Sequence, residues 1–332
     1  MKDDTNIRLV KDDSSAVIQG FEEMEWFRAL FDVEVSGITA LTAVLQAVGQ
    51  DITFEEVMGV SGAAFKLHIG ERWCPSSGCF EFDDGIAALF GLKRQVIEMN
   101  EEKHPDARER MRKAVVASID RGIPVPYCDG EHSLLVGYRD GGAVFVCSPY
   151  GRTGKYTEFT TPRGMLGDAW YFDILTATGE QPDWQALRMA SLKHAVEQAK
   201  TQEEYSGFNA YQSWANTLRD PPAEKLNLHA YYYIYSILIS SRNAAAKYLK
   251  IIAPSYDEQA KEHLLAASDR YDAARERLWN SRTCITDKWE GWDSKWTPEN
   301  RQKIAAVLDA CLADERVAVA EIEKALEIIE AR

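Results

Sequence analysis

The stretch SLLVGYRDGGAVFVC, residues 133–147, decides the fold class. Two apolar runs, 133–138 and 143–147, flank Arg139-Asp-Gly-Gly142, and an Asp-Gly pair supplies the positive φ that a tight β-turn needs. The pattern predicts an antiparallel hairpin. Further short β-like runs lie on either side, at 123–127 and 170–175. Upstream, SGITALTAVLQAV (36–48) sets Ile38, Leu41, Val44, Leu45 and Val48 on the three–four spacing of a buried helical stripe, with Gly49 as its stop. Thr53 with Glu56 three residues on has the capping-box spacing for a second helix, and a third is predicted over 107–119, closed by Arg121-Gly122. Helices followed by an antiparallel meander make an α+β domain.

Beyond Thr178 the period changes. Residues 184–200, 207–218, 228–252, 257–279 and 298–331 are all helical in spacing, interrupted by Pro221-Pro222, Pro254 and a polar stretch at 280–296. This half reads as an all-α helical bundle. A chain of 332 residues exceeds one ordinary core and fits two domains. We divide it into an N-terminal extension (1–19), an α+β domain (20–178) and an all-helical domain (183–332), with the boundary in Gly179-Glu-Gln-Pro182.

The composition, 45% hydrophobic and 27% charged, is that of a globular protein. A net charge of −14, with no basic run, argues against nucleic acid and anionic membranes as partners. The start, Met1-Lys-Asp-Asp-Thr-Asn6, has no apolar region behind it, so no secretory signal is expected. The longest apolar stretch, 230–240, holds four tyrosines and is too short to span a bilayer. Six scattered cysteines suit a reduced, cytoplasmic protein rather than a disulfide scaffold. No nucleotide, flavin or metal motif is present, so no cofactor is expected. A homo-oligomer is left open.

Three segments carry a family resemblance: Ser36-Gly-Ile-Thr-Ala-Leu41 with Val48-Gly49, then Glu131-His-Ser-Leu-Leu-Val-Gly-Tyr138 running into Arg139-Asp-Gly-Gly142, and Ser148-Pro-Tyr-Gly151. Over about residues 20–175 the chain resembles the papain-like domain of the bacterial bacteriocin-processing (double-glycine) peptidases and of butirosin-biosynthesis-type acyltransferases. The resemblance implies a papain-like fold. It also implies a nucleophile at position 36 on a helix N-terminus, His132 as base, and an orienting residue at position 148. A thiol at a helix N-terminus is ionised by the dipole and by unpaired N–H groups, and histidine then shuttles the proton.

The chain departs from that pattern at three positions. Ser36 stands where the cysteine is expected, Leu30 where an oxyanion-hole glutamine is usual, and Ser148 where Asp or Asn would orient the imidazole. Only His132 is kept. An alcohol gains little from a helix dipole, and Ser36 would equally serve as a plain N-cap. Cys74, in Trp73-Cys-Pro-Ser-Ser-Gly-Cys79, is the alternative nucleophile, against a structural cysteine or a local pairing with Cys79. Glu131, Cys147 and Tyr150 flank the expected site and are candidate ligand contacts. So are Tyr231 and Tyr235, which share a helical face in an aromatic-rich segment that would otherwise be bundle core. Trp289, Trp292 and Trp296 are similarly ambiguous.

Three functions are therefore expected in competition. The first is a papain-like pseudoenzyme that binds a small molecule or peptide in the inherited cleft. The second is a cysteine- or serine-type acyltransferase or amide hydrolase using Cys74 or Ser36 with His132. The third is an interaction or assembly protein acting through the helical domain. What separates the first two is whether a Ser or Cys side chain meets the His132 ring.

Overall fold

The computed structural model describes residues 7–22, 35–70, 82–148, 150, 156–161, 168–221, 228–285 and 295–331. Its strands, in chain order, are β1 (Arg8–Lys11), β2 (Ala16–Gln19), β3 (Leu92–Glu98), β4 (Val125–Cys128), β5 (His132–Arg139), β6 (Val144–Ser148), β7 (Thr157–Phe159) and β8 (Tyr171–Ala177). Its helices are α1 (Ser36–Ala47), α2 (Phe54–Val60), α3 (Asp84–Leu89), α4 (Ala107–Ile119), α5 (Trp184–Ala199), α6 (Gly207–Arg219), α7 (Leu228–Ile252), α8 (Glu258–Ser281) and α9 (Pro298–Glu330). The protein is thus mixed helix and antiparallel sheet, with a helical C-terminal region. No described helix is long and apolar enough to cross a membrane.

The predicted hairpin is β5–β6, turned by Asp140 and Gly141 at φ 51° and 64°. All described pairings are antiparallel, in the order β1-β2-β5-β4-β8-β3, with β6 on β5 and β7 on β6. The N-terminal residues 8–19 form the β1–β2 hairpin, whose Ala16 and Val17 pair with Tyr138 and Gly137. Position 137 needs glycine because a Cβ there would lie 2.5 Å from the Ala16 carbonyl oxygen. A bulge between Leu135 and Gly137 bends β5 where β2 takes over from β4. Helix α1 lies against β4 and β5, and its first ten residues are buried.

The described residues group into two compact units. The first holds the sheet with α1, α3 and α4. The second holds α5–α9, and residues 55–70 pack within it. Its core joins Trp214, Tyr231, Tyr235, Leu238, Leu278, Leu308 and Cys311, spaced three or four apart where they share a helix. Gly59 on α2 admits the Tyr248 ring, since a Cβ there would come within 2.2 Å of it. The buried Arg242 of α7 forks onto Glu315 of α9 (Nε–Oε1 2.5 Å, Nη2–Oε2 2.9 Å) and donates through Nη1 to the carbonyls of Ala64 and Lys66.

Candidate functional site

Backbone geometry brings Ser36 and His132 together, the pair that the family resemblance singled out. Ser36 opens α1, and His132 opens β5 on the strand against which α1 lies. The capping residue is Val35, so Ser36 is not the plain N-cap that its residue type suits. Its hydroxyl donates instead to Glu131 Oε2 at 2.6 Å and accepts from the His132 backbone N–H at 3.0 Å. The serine is therefore tied to the strand by a carboxylate and an amide.

The His132 ring takes a different set of neighbours. A Cβ on Gly37 would sit 3.3 Å from Nδ1 and 3.4 Å from Cε1, so the imidazole packs directly on the first turn of α1. Nε2 meets the Tyr171 hydroxyl at 3.3 Å and Asp173 Oδ2 at 4.0 Å. Asp173 is fully buried, and its Oδ1 accepts from Arg94 Nε at 2.8 Å. Its Oδ2 is buried without a hydrogen-bond partner among the described residues. Arg94 in turn lies over the Phe82 ring and within 3.5 Å of Asp84.

Burial sets the charge states here. It pushes His132 down to about 4, with the Arg94 guanidinium acting in the same direction. The imidazole is therefore neutral at pH 7. Burial lifts the Asp173 carboxyl to about 6, against the pull of Arg94. Tyr171 is also raised, first by desolvation. A neutral imidazole can take a proton, but one held near 4 is a weak base at pH 7, and its Nδ1 faces Gly37.

Among the remaining sequence candidates, Ser148 is buried at the end of β6, in register with Leu134. Tyr150 is buried, and its N–H donates to Ser133 Oγ at 2.9 Å. Cys147 is buried opposite Leu135 and its thiol is raised far up by desolvation, so it is an inert core thiol. Cys128 pairs across the sheet with both His132 and Tyr171, and burial raises it too. Cys74, Cys79, Leu30, Trp289 and Trp292 lie outside the described residues.

In the helical unit, the Tyr235 hydroxyl donates to the Leu278 carbonyl at 2.7 Å, and its ring packs edge-on to Trp214. Tyr231 stacks edge-on to Trp296 at 5.0 Å and borders a cavity of about 20 Å³ with Trp214 and Arg301. That volume holds about one water.

Sequence reasoning missed Tyr171, Asp173 and Arg94. One signal was present: Asp173 is the lone charged residue in the run WYFDILTA, residues 170–177, whose strand is buried on both faces from Phe172 to Leu175. A buried acid on an otherwise apolar strand needs a partner. Against known proteins, no family model and no curated protein matches the chain.

Proposed function

We propose that this chain is a small-molecule- or peptide-binding protein whose α+β unit, papain-like by resemblance, no longer performs acyl transfer through Ser36. The observation that carries this reading is the wiring of Ser36. Its hydroxyl proton goes to Glu131 rather than to imidazole, and the His132 ring rests on Gly37. What supports binding at the same place is the second oxygen of Asp173, buried beside Nε2 and in want of a donor. A ligand offering an amine, amide or hydroxyl suits it, and the neighbouring His132 side chain is 12% exposed.

The test is thermal denaturation of the full chain against a panel of short peptides and amine- or amide-bearing small molecules. A ligand present at a hundred times its Kd stabilises by about 2.7 kcal/mol. The expected result is a Tm rise in the wild type that is lost in Asp173→Asn. Alongside it, hydrolysis of peptide and thioester substrates should not change in Ser36→Ala. A fall of about 100-fold or more would overturn the reading.

The approach of Asp173 to His132 favours a second reading, acyl transfer or amide hydrolysis with Cys74 as the thiol. That reading expects thioester turnover blocked by iodoacetamide and abolished in both Cys74→Ala and His132→Ala.

A further inference from the structure

A second serine–histidine contact lies within the helical unit, and there the hydroxyl does meet the ring. The Ile69 N–H donates to the Tyr205 carbonyl and the Gly207 N–H to the Leu67 carbonyl, both at 3.0 Å. These bonds make His68 and Ser206 directly opposed residues of an antiparallel bridge. In that arrangement the bonds bracket the pair and bring its side chains close. His68 Nδ1 is 2.8 Å from Ser206 Oγ. The same hydroxyl donates to Glu203 Oε2 at 2.9 Å, and in the tautomer that carries its hydrogen on Nε2 the His68 Nδ1 is a second acceptor for that proton.

Ser206 stands immediately before α6, in the capping position, yet its side chain makes no capping bond. It is turned to His68 and Glu203 instead. The first-turn N–H groups of α6 and the helix dipole leave partial positive charge beside the hydroxyl. Gly207, at φ 55°, brings the end of α5 close, because a Cβ there would lie 2.3 Å from the Gln198 carbonyl oxygen.

Around this pair is a cleft of about 400 Å³ lined by Lys66, His68, His194, Gln198, Glu203 and Ser206. That is the size of a small-molecule site. Gln198 Oε1 is buried and has no hydrogen-bond partner among the described residues. A ligand hydroxyl or N–H would satisfy it.

We propose that Ser206 and His68 are a nucleophile–base pair that hydrolyses short carboxylic esters of polar, hydroxyl- or amide-bearing alcohols in this cleft. Ser206 Oγ attacks the ester carbon while its proton passes to His68 Nδ1, and the carbonyl π pair moves onto oxygen beside the α6 N-terminus. On collapse the carbon–alkoxy bond breaks, and the departing alcohol takes the proton from His68. Water then repeats the route, releasing the carboxylic acid and restoring the hydroxyl. The Glu203 carboxylate stabilises the transient imidazolium. Burial and the nearby Lys66 lower the His68 pKa, against Glu203, which keeps the ring neutral and able to accept a proton at pH 7.

The test treats the full chain with a fluorophosphonate probe and maps the adduct by peptide mass spectrometry, with p-nitrophenyl acetate as a turnover substrate. The expected adduct is on Ser206, absent in Ser206→Ala and forming at least about 100-fold more slowly in His68→Ala. His68→Gln, which keeps a polar side chain without the base, should lose the same rate while melting near the wild type. Absence of a Ser206 adduct overturns the proposal. So does an adduct that forms at the wild-type rate in either His68 variant.

Discussion

Asp173 and His132 lie 4.0 Å apart and link folding to pH with opposite signs. His132 falls from 6.5 to about 4 on folding, so between those values the unfolded chain takes up a proton that the folded chain refuses. Acid therefore weakens folding through His132. Asp173 rises from 3.8 to about 6, so the folded chain protonates first and acid strengthens folding through it. In the window from about 6 to 4 the two contributions oppose each other. Asp173→Asn should remove one of them. Urea denaturation at pH 6.5, 5.5 and 4.5 should then show the variant losing stability towards acid relative to the wild type, by up to about 1.4 kcal/mol per pH unit. Parallel curves would show that the pair is not titrating as described. The helix opened by Ser36 and the strand that follows His132 were legible because each marks itself locally, whereas the site roles of Ser36, Glu131 and His132 came from the family resemblance. Asp173 was not legible, because it reaches His132 only through β4, which bridges strands more than 30 residues apart in the chain.

The long helices were legible nearly to the residue, since a three–four stripe and its caps are local features, whereas the six-residue α3 (Asp84–Leu89) is too short to show a stripe and was missed. The spans for α4 and α7 agree with the spacing, and Thr297 and Asp257 cap α9 and α8 with side-chain bonds. Strands β1, β2, β3 and β7 escaped the sequence: β1, β3 and β7 are edges with a mostly exposed or half-exposed pattern and no clean alternation, and β2 is a four-residue strand inside the segment read as an N-terminal extension. The packing of residues 55–70 with α5–α9 was equally silent, because Arg242, 178 positions from Ala64, is what holds their carbonyls. The guanidinium serves α7, α9 and this turn at once, and Tyr211 also donates to Glu315. Arg242→Ala would strand a buried carboxylate and two carbonyls, and should cost the helical unit about 3–5 kcal/mol in urea denaturation. Pairing Arg242→Met with Glu315→Leu removes both charges together and should recover most of that loss. A double variant as unstable as the single one would mean that the carbonyl clamp, rather than the ion pair, is the larger contribution.

At the scale of the whole molecule the acidic excess decides how salt acts. Acidic side chains number 52 against 38 basic, an excess of 14. Many of the described charges sit in short pairs, such as Lys193–Glu330 at 2.6 Å and Lys303–Glu299 at 2.7 Å. Exposed pairs of this kind contribute about 0–1 kcal/mol each. At such separations salt removes only part of the attraction, because the Debye length is about 30 Å at 0.01 M and about 8 Å at 0.15 M. Repulsion among the surplus acids acts over longer distances, and the same rise in salt removes most of it. Screening therefore takes away more repulsion than attraction, and compactness gains. Between 10 and 150 mM sodium chloride, Tm should rise by a few degrees, since about 1 kcal/mol moves a domain of this size by roughly 2–4 °C. A falling Tm over that range would mean that the short ion pairs outweigh the net charge, and that the surplus acids are spread too thinly to repel.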